Sequence, residues 1–467
     1  MLSRKILLFA FIVVSYTDGM AQAIDSSYLI YKKQFTELTV TRSGTLSEAG
    51  IALEKFNTNQ INSNESFAGF LKKIYPQHKG LAIVMYFYIK DSLKRVFFEP
   101  GKVIDEKSIA ISKQQLFEMG EQLSAGLGLY KATQQKAPVE RGAEPLIKPK
   151  QPANLNQLIK KLTSILLPAA FNESYSHLIV IPALNIGSLP FHVLKPYADN
   201  SYFIDKCSFT IAPTLVDFIG LRYEALFNIR RDGFDPTMSS KSFDEMVTDG
   251  NVYATDSLSM TVDNALFVGN PAYPTHGKFY FPDLPGAEEE INNAVLHSKH
   301  YKLLKGKDAV KDSVLKYLNG SDVAYFATHG ISSSKDADDN SFLVLSGADP
   351  YLTSLQIKDL RLNPDFKMPD LVVLSACQTG LGKPMEAGMM GSLSRAFLLG
   401  GSNHVIMSLW NVDDKATAFL MNRFIYHLQQ PHPFTPAVPL QLAIIETKAK
   451  FPEASKWASF SLFGVNY

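Results

Sequence analysis

Residues 371–380 read Leu-Val-Val-Leu-Ser-Ala-Cys-Gln-Thr-Gly, and residues 324–330 read Ala-Tyr-Phe-Ala-Thr-His-Gly. Each stretch begins as an apolar run of strand length and ends on a reactive side chain that a glycine soon follows. Strands that are apolar on both faces are typical of a parallel sheet covered on both sides. In such a sheet, ligands and catalytic groups collect at the carboxyl ends of the strands. We therefore expect His329 and Cys377 to lie at the same edge of one sheet.

Strands and helices alternate on both sides of these two stretches. Strands are predicted at 265–269, 323–328, 371–375 and 405–410, and helices at 287–300, 308–318, 390–399 and 415–428. Earlier in the chain, the pattern predicts paired strands at 81–88 and 93–99, helices at 46–56, 112–127 and 155–167, a strand at 177–182 and a strand-like run at 202–209. This alternation predicts an α/β fold in which helices flank a largely parallel sheet.

The composition limits the classes of function. The 467 residues carry 46 Lys+Arg against 45 Asp+Glu, a net charge of +1, so no global charge attracts nucleic acid. A hydrophobic fraction of 46% is typical of a globular protein, and two cysteines cannot form a disulfide framework. The ten histidines form no H-E-x-x-H motif and the cysteines no C-x-x-C motif, so we expect neither a metal nor another cofactor.

The N-terminus has the pattern of a secretory signal peptide. Arg4 and Lys5 precede an apolar run at 6–14, and small residues stand at Ala21 and Ala23. Nine apolar residues are too few for a membrane span, which needs about 20. We expect residues 1–23 to be removed after Ala23. The mature chain is then secreted or periplasmic, without a membrane span.

The chemistry of His329 and Cys377 fits nucleophilic catalysis. A thiol needs a neighbouring base to form the thiolate, and imidazole provides one. Gly330 and Gly380 allow a substrate backbone to approach closely, and the N–H groups of Gly330 and Cys377 would form an oxyanion hole. The alternative is that Cys377 is a small buried apolar residue at a strand end. The pairing with His329 favours the catalytic interpretation.

Further motifs resemble the CHAT domain, a caspase- and separase-related peptidase family, over residues 82–467. The motifs are Leu-Pro-Phe at 189–191, Val-Gly-Asn-Pro at 268–271, Leu-Pro-Gly-Ala-Glu-Glu-Glu at 284–290, Ser-Arg-Ala-Phe-Leu at 394–398, Ser-Leu-Trp-Asn-Val-Asp-Asp at 408–414 and Trp-Ala-Ser-Phe at 457–460 with Gly464. The 48 residues from His329 to Cys377 also match the spacing of about 50 in caspases. The resemblance implies a caspase-like fold with His329 as the base and Cys377 as the nucleophile.

This sequence departs from the family pattern at two places. Gln378 stands where the family usually has an acidic residue, and Gly388 stands where its Gly-Glu-Gly motif carries a glutamate. The resemblance also implies a division of the chain. We expect an N-terminal helical segment at 24–78, a non-catalytic half at 79–261 and a catalytic half at 262–467. The polar stretch 230–263 suits the boundary between the halves.

The expected function is that of a secreted caspase-like cysteine endopeptidase, which acts on a protein or peptide substrate and has a possible regulatory protein partner. The alternative is an inactive interaction module, which the missing carboxylate at Gly388 favours. In caspase-like peptidases the segment after the next strand lines the substrate pocket. Here Trp410 would form an apolar wall, and Ser408 and Asn411 would bond the substrate backbone. Asp413 and its neighbour Asp414 lie close by: a carboxylate at the pocket floor would select Arg or Lys, or Asp413 or Asp414 would cap the helix at 415–428.

Overall fold

The computed structural model describes residues 71, 75, 79–129, 139–140, 154–215, 217–218, 221–222, 262–276, 279–331, 341–363, 365–375, 383–385, 388–390, 393–410, 413–430 and 435–464. The signal segment 1–23, the predicted helix at 46–56 and most of the polar stretch 230–263 lie outside these residues. Cys377, Gln378, Gly380 and Asn411 lie outside them too.

The N-terminal part of the described chain begins with three strands joined by tight turns. The elements up to residue 211 are β1 Leu81–Ile89, β2 Ser92–Glu99, β3 Lys102–Ala110, α1 Lys113–Gly126, β4 Val139–Glu140, α2 Leu155–Leu166, β5 His177–Ile181, the short helix α3 Phe203–Lys206 and β6 Ser208–Ile211. Ser112 caps α1 in a capping box with Gln115, as its position before the apolar periodicity predicts.

The C-terminal part alternates strands and helices. Its elements are β7 Asn264–Pro271, β8 Phe279–Tyr280, α4 Pro285–Ala294, β9 His300–Gly306, α5 Lys311–Leu318, β10 Val323–Ala327, β11 Gly330–Ile331, β12 Phe342–Val344, β13 Tyr351–Thr353, α6 Ser354–Asp359, β14 Leu371–Leu374, β15 Lys383–Met385, β16 Gly388–Met390, α7 Leu393–Gly400, β17 His404–Ser408, α8 Asp414–Leu428, α9 Ala437–Lys450, α10 Ala454–Trp457 and β18 Phe460–Gly464.

One large sheet runs through both parts. Its described strands form eleven positions in the order β3-β2-β1-β5-β6-β18-β17-β14-β10-β7-β9. The pairs β1/β2, β2/β3 and β17/β18 are antiparallel, and the other neighbours are parallel. The prediction of a largely parallel α/β sheet is therefore confirmed. Strands β14 and β10 lie side by side as the eighth and ninth strands in this order, and every residue in them is buried.

Helices cover the sheet because the sequence gives them apolar faces. Helix α7 is buried at every position, which explains its nearly unbroken apolar sequence. In α4 the buried residues recur at Ala287, Glu290, Ile291 and Ala294, the spacing of one helical stripe. Ile291 packs closely on β7: a Cβ added at Gly269 would lie 1.9 Å from its Cδ1. Within the described ranges, no helix combines the length and apolarity that a membrane span requires.

Several predicted elements differ from the structure. The run at 202–209 is not a continuous strand, since α3 precedes β6; the Tyr202 N–H donates to Asp205 Oδ2 at 3.0 Å and stabilises that helical turn. The helix predicted at 287–300 ends at Ala294, passes through a 3₁₀ turn at Val295–His297 and gives way to β9 at His300. Helix α5 begins three residues later than predicted.

Candidate functional site

His329 lies two residues after the end of β10 and is fully buried. Its Nε2 lies 2.7 Å from the carbonyl oxygen of Pro282. Because a carbonyl only accepts, Nε2 carries the hydrogen and the neutral ring presents a lone pair at Nδ1. The Nδ1 atom is buried and has no hydrogen-bond partner among the described residues. The rings of Tyr273 and Phe281 pack on the imidazole, with centroids at 4.7 and 5.5 Å.

Burial lowers the pKa of His329 below its ordinary value of 6.5, and the hydrogen bond to Pro282 only partly opposes this effect. The ring is therefore neutral at pH 7. A neutral imidazole with one nitrogen fixed by a carbonyl and the other unpaired has the form of a general base.

The end of β14 lies beside the end of β10, as the sequence predicts. Phe326 pairs with Leu374 in parallel register, and the Ser375 N–H donates to Phe326 O at 2.9 Å. Both strands therefore deliver the chain to the same edge of the sheet. Cys377 follows Ser375 by two residues and is itself outside the described residues, so its pairing with His329 stays a prediction. Gly330, the other predicted oxyanion donor, begins the short strand β11, which pairs with β12.

A cavity of about 320 Å³ opens at this edge. The residues around it come from the segment before α4, from α4 itself, from the ends of β14 and β17, and from α8 and β18. They are Pro282, Asp283, Leu284, Pro285, Gly286, Ala287, Glu290, Ser375, Ser408, Trp410, Asp414, Thr417 and Phe460. Pro282, whose carbonyl binds His329, lines this cavity, whereas His329 itself is not among the lining residues.

Two of the predicted substrate-binding residues, Ser408 and Trp410, line this cavity. Trp410 is fixed by a 2.9 Å hydrogen bond from its Nε1 to Ser455 O. Asp413 instead caps α8: its Oδ1 accepts from the Ala416 N–H at 3.1 Å. Of these two adjacent aspartates, Asp414 is the one that lines the cavity.

The Asp414 carboxylate lies over the first turn of α4. A Cβ added to Gly286 would lie 2.4 Å from both Cγ and Oδ2 of Asp414, so the carboxylate occupies the space that the glycine leaves. The N-terminus of a helix carries partial positive charge, which stabilises a carboxylate there. Gly286 thus permits this close approach.

Glu290 is a cavity residue that the sequence reasoning did not single out. Its side chain is 5% exposed and hydrogen-bonds with Tyr325 and Ser375. Burial raises its pKa to about 7, helped by the nearby charge of Asp414, while the two hydrogen bonds lower it. A signal was present in the sequence, because a glutamate on the apolar stripe of a helix needs a special environment. The Pro282 carbonyl is backbone and leaves no such signal.

Comparison with known proteins agrees with this architecture. The model of the CHAT domain matches residues 153–465, well over half of the chain. The chain belongs to the CHAT domain family. Tetratricopeptide repeat protein 28 of Homo sapiens is 24% identical to this CHAT protein over 327 residues, and the Mus musculus protein of the same name matches equally. The match covers 62% of this chain but 12% of each relative.

Solved structures share the fold of this CHAT protein at low sequence identity. The Saccharomyces cerevisiae separase–securin complex aligns with a TM-score of 0.52 and 12% identity, covering 97% of this chain and 34% of the separase chain. The Arg-specific cysteine proteinase gingipain R aligns with a TM-score of 0.41 and 11% identity, over 75% of both chains. The alignment with separase shows that the CHAT protein has a caspase-like α/β fold.

Proposed function

We propose that this CHAT protein is a cysteine endopeptidase in which His329 is the general base and Cys377 the nucleophile. The observation that carries the proposal is the His329 ring, with Nε2 bound to Pro282 O and Nδ1 unpaired among the described residues. Nδ1 takes the thiol proton, and the sulfur attacks the peptide carbonyl to form a tetrahedral adduct. This adduct collapses to a thioester as the amine leaves with the proton that His329 returns, and water then hydrolyses the thioester.

The test is hydrolysis of a peptide library under reducing conditions. We expect Cys377→Ala and His329→Ala to abolish turnover while both variants unfold cooperatively. The matched control is Cys207→Ser: Cys207 is buried, and burial raises its thiol pKa, so it stays protonated and unreactive. Undiminished hydrolysis by Cys377→Ala would refute the mechanism. A wild type that neither hydrolyses peptides nor reacts with a thiol-directed acyloxymethyl ketone would support the alternative, an inactive interaction module. The glycine at position 388, where the family carries a glutamate, favours that alternative.

We further propose that the cavity receives a basic side chain. Three carboxyl groups line it, from Asp283, Glu290 and Asp414. A cation that enters an enclosed cavity needs a paired anion, and a carboxylate matches the guanidinium fork of arginine. Of the two aspartates predicted for the pocket, Asp413 caps α8, so the proposed basic pocket rests on Asp414 together with Asp283 and Glu290.

Cleavage after Arg or Lys, compared with cleavage after Asp or apolar residues, measures this preference. Asp283→Asn and Asp414→Asn should each weaken it by about tenfold or more, the effect of losing one charge-assisted hydrogen bond. Asp312→Asn, an exposed position on α5, is the matched control. An unchanged preference in both cavity variants would exclude the basic pocket.

The site of action remains part of the proposal. We propose that the protein is secreted or periplasmic after removal of residues 1–23, and that a protein partner regulates it. N-terminal sequencing of the mature protein should begin at Ile24, and a mature form that retains Met1 would refute the export. Copurification of the tagged Cys377→Ala variant with a stoichiometric protein would identify a partner or a trapped substrate.

A further inference from the structure

Glu290 touches both strands that lead to the proposed catalytic residues. Tyr325 lies on β10, four residues before His329, and its hydroxyl donates to Glu290 Oε1. Ser375 is the first residue after β14, and its side chain lies within hydrogen-bonding reach of the same carboxylate and of the Tyr325 hydroxyl. Ser375 is also held through its backbone N–H, which donates to Phe326 O at 2.9 Å. The Glu290 carboxylate on α4 thus connects the carboxyl ends of β10 and β14.

The surroundings of Glu290 show that it is built into a network. The carboxyl group is almost fully buried, and the partners it has there are hydroxyl groups rather than a cation. A buried carboxylate without a cationic partner costs folding free energy, so its place on the apolar stripe of α4 is not explained by stability. Residues that cost stability in this way are expected at functional sites.

We propose that Glu290 is a positioning residue, whose ionised carboxylate holds Ser375 and thereby the start of the segment that carries Cys377, and whose protonation loosens that hold. The kinetic consequence rests on the proposed peptidase function, whereas the structural coupling does not. The physical step is an exchange of hydrogen bonds. The ionised group accepts from both hydroxyls, whereas the protonated group carries a hydrogen of its own and loses acceptor capacity.

The pKa of Glu290 lies close to neutral pH, so its carboxyl group changes protonation state in the pH range in which the coupling would be measured. Its pKa is raised to about 7, first by burial and then by the charge of Asp414 from α8, while the hydroxyls of Tyr325 and Ser375 lower it. Tyr325 stays protonated throughout, since burial raises its pKa well above 10. Asp283 completes the carboxyl groups around the cavity. The pKa of His329 is shifted in the opposite direction, below 6.5, so the two titrations are separable.

The chain offers a direct test because it has two cysteines. Incorporation of ¹⁵N-labelled cysteine gives two amide signals, and Cys207→Ser assigns the one from Cys377. We expect the Cys377 amide shift to follow pH with a midpoint near 7 in the wild type, in His329→Ala and in Glu289→Gln, the matched control on the exposed face of α4. The step should vanish in Glu290→Gln. It should also vanish in Ser375→Ala, which keeps the carboxylate but removes its link.

These signals decide the proposal even if the wild type hydrolyses no peptide, a result that would count against the proposed function alone. A wild type without a step near pH 7, or a step that persists in Glu290→Gln and Ser375→Ala, overturns the coupling.

Where hydrolysis is measured, Glu290→Gln should lose the rise in kcat near pH 7. At pH 8 its kcat should fall about ten- to a hundredfold, as a ~1 Å displacement of a reacting group does. A raised KM with unchanged kcat would limit Glu290 to a substrate-binding role in the cavity and overturn the positioning role.

Discussion

Replacing Glu290 with glutamine should stabilise the protein, and the gain should grow with pH. The pKa of Glu290 rises from 4.5 to about 7 on folding, so between these values the native state binds more protons than the unfolded state. Stability is therefore lost as pH rises through this window, and the full cost is present above pH 7. A shift of this size corresponds to about 3 kcal/mol, at roughly 1.4 kcal/mol per pKa unit.

The assay is urea denaturation of wild type and Glu290→Gln at pH 5 and pH 8, under reducing conditions. The difference in free energy of unfolding should become more favourable to the variant by roughly 2 kcal/mol between the two pH values, because part of the shift is already expressed at pH 5. Glu289→Gln, which is exposed on the same helix, should show no such trend. A difference between Glu290→Gln and wild type that does not change with pH would refute the reasoning. The same variant is expected to be more stable and less active.

Two other substitutions test how the site is supported. Asp217 is 3% exposed, and its Oδ2 forms an ion pair with Arg395 Nε at 2.8 Å. Arg395→Ala leaves this buried carboxylate unpaired, so the free energy of unfolding measured with urea should fall by about 3–5 kcal/mol. A fall of less than about 1 kcal/mol would contradict the importance of a buried pair. Asp413→Ala removes the cap of α8 and should cost about 1 kcal/mol in the same assay. Asp413→Ala should leave the preference for basic peptides intact. Loss of that preference would show that Asp413 takes part in substrate recognition.

The sequence predicted the uninterrupted apolar strands of the sheet better than the strands that contain polar residues. Strands β10 and β14 are apolar along their whole length because both faces are covered, and that pattern is visible without a structure. The edge strand β9 carries exposed His300, Tyr301 and Lys302 and has a strand neighbour on one side, so it shows no apolar run. Strand β18, with the sequence Phe-Ser-Leu-Phe-Gly, is the sixth of the eleven strands, but Ser461 interrupts its apolar run, and the sequence did not predict it for that reason.

The candidate site was predictable to the extent that side chains mark strand ends. His329, Ser408 and Trp410 follow or end strands, and the structure puts them around one edge of the sheet. Asp413 and Asp414 are adjacent, and which one caps α8 depends on where the first helical turn begins, a point that periodicity fixes to within a residue or two at best. The approach of Asp414 to Gly286 joins segments far apart in sequence, and no local pattern encodes it.

The N-terminal part of the chain shapes the cavity although it contributes no residue to the lining. His192, from this part, is fully buried, and its Nε2 lies 3.0 Å from the carbonyl oxygen of Phe460, a residue of the cavity wall. Burial lowers the pKa of His192 to about 3, so the ring stays neutral and donates through Nε2 at any physiological pH. Phe460 in turn pairs with Ser408 across β18 and β17. Since β6 also pairs with β18, the wall that carries Phe460 is held from the N-terminal side by both a strand and a histidine. The proposed catalytic half, residues 262–467, therefore depends on the preceding part of the chain for the geometry of its cavity.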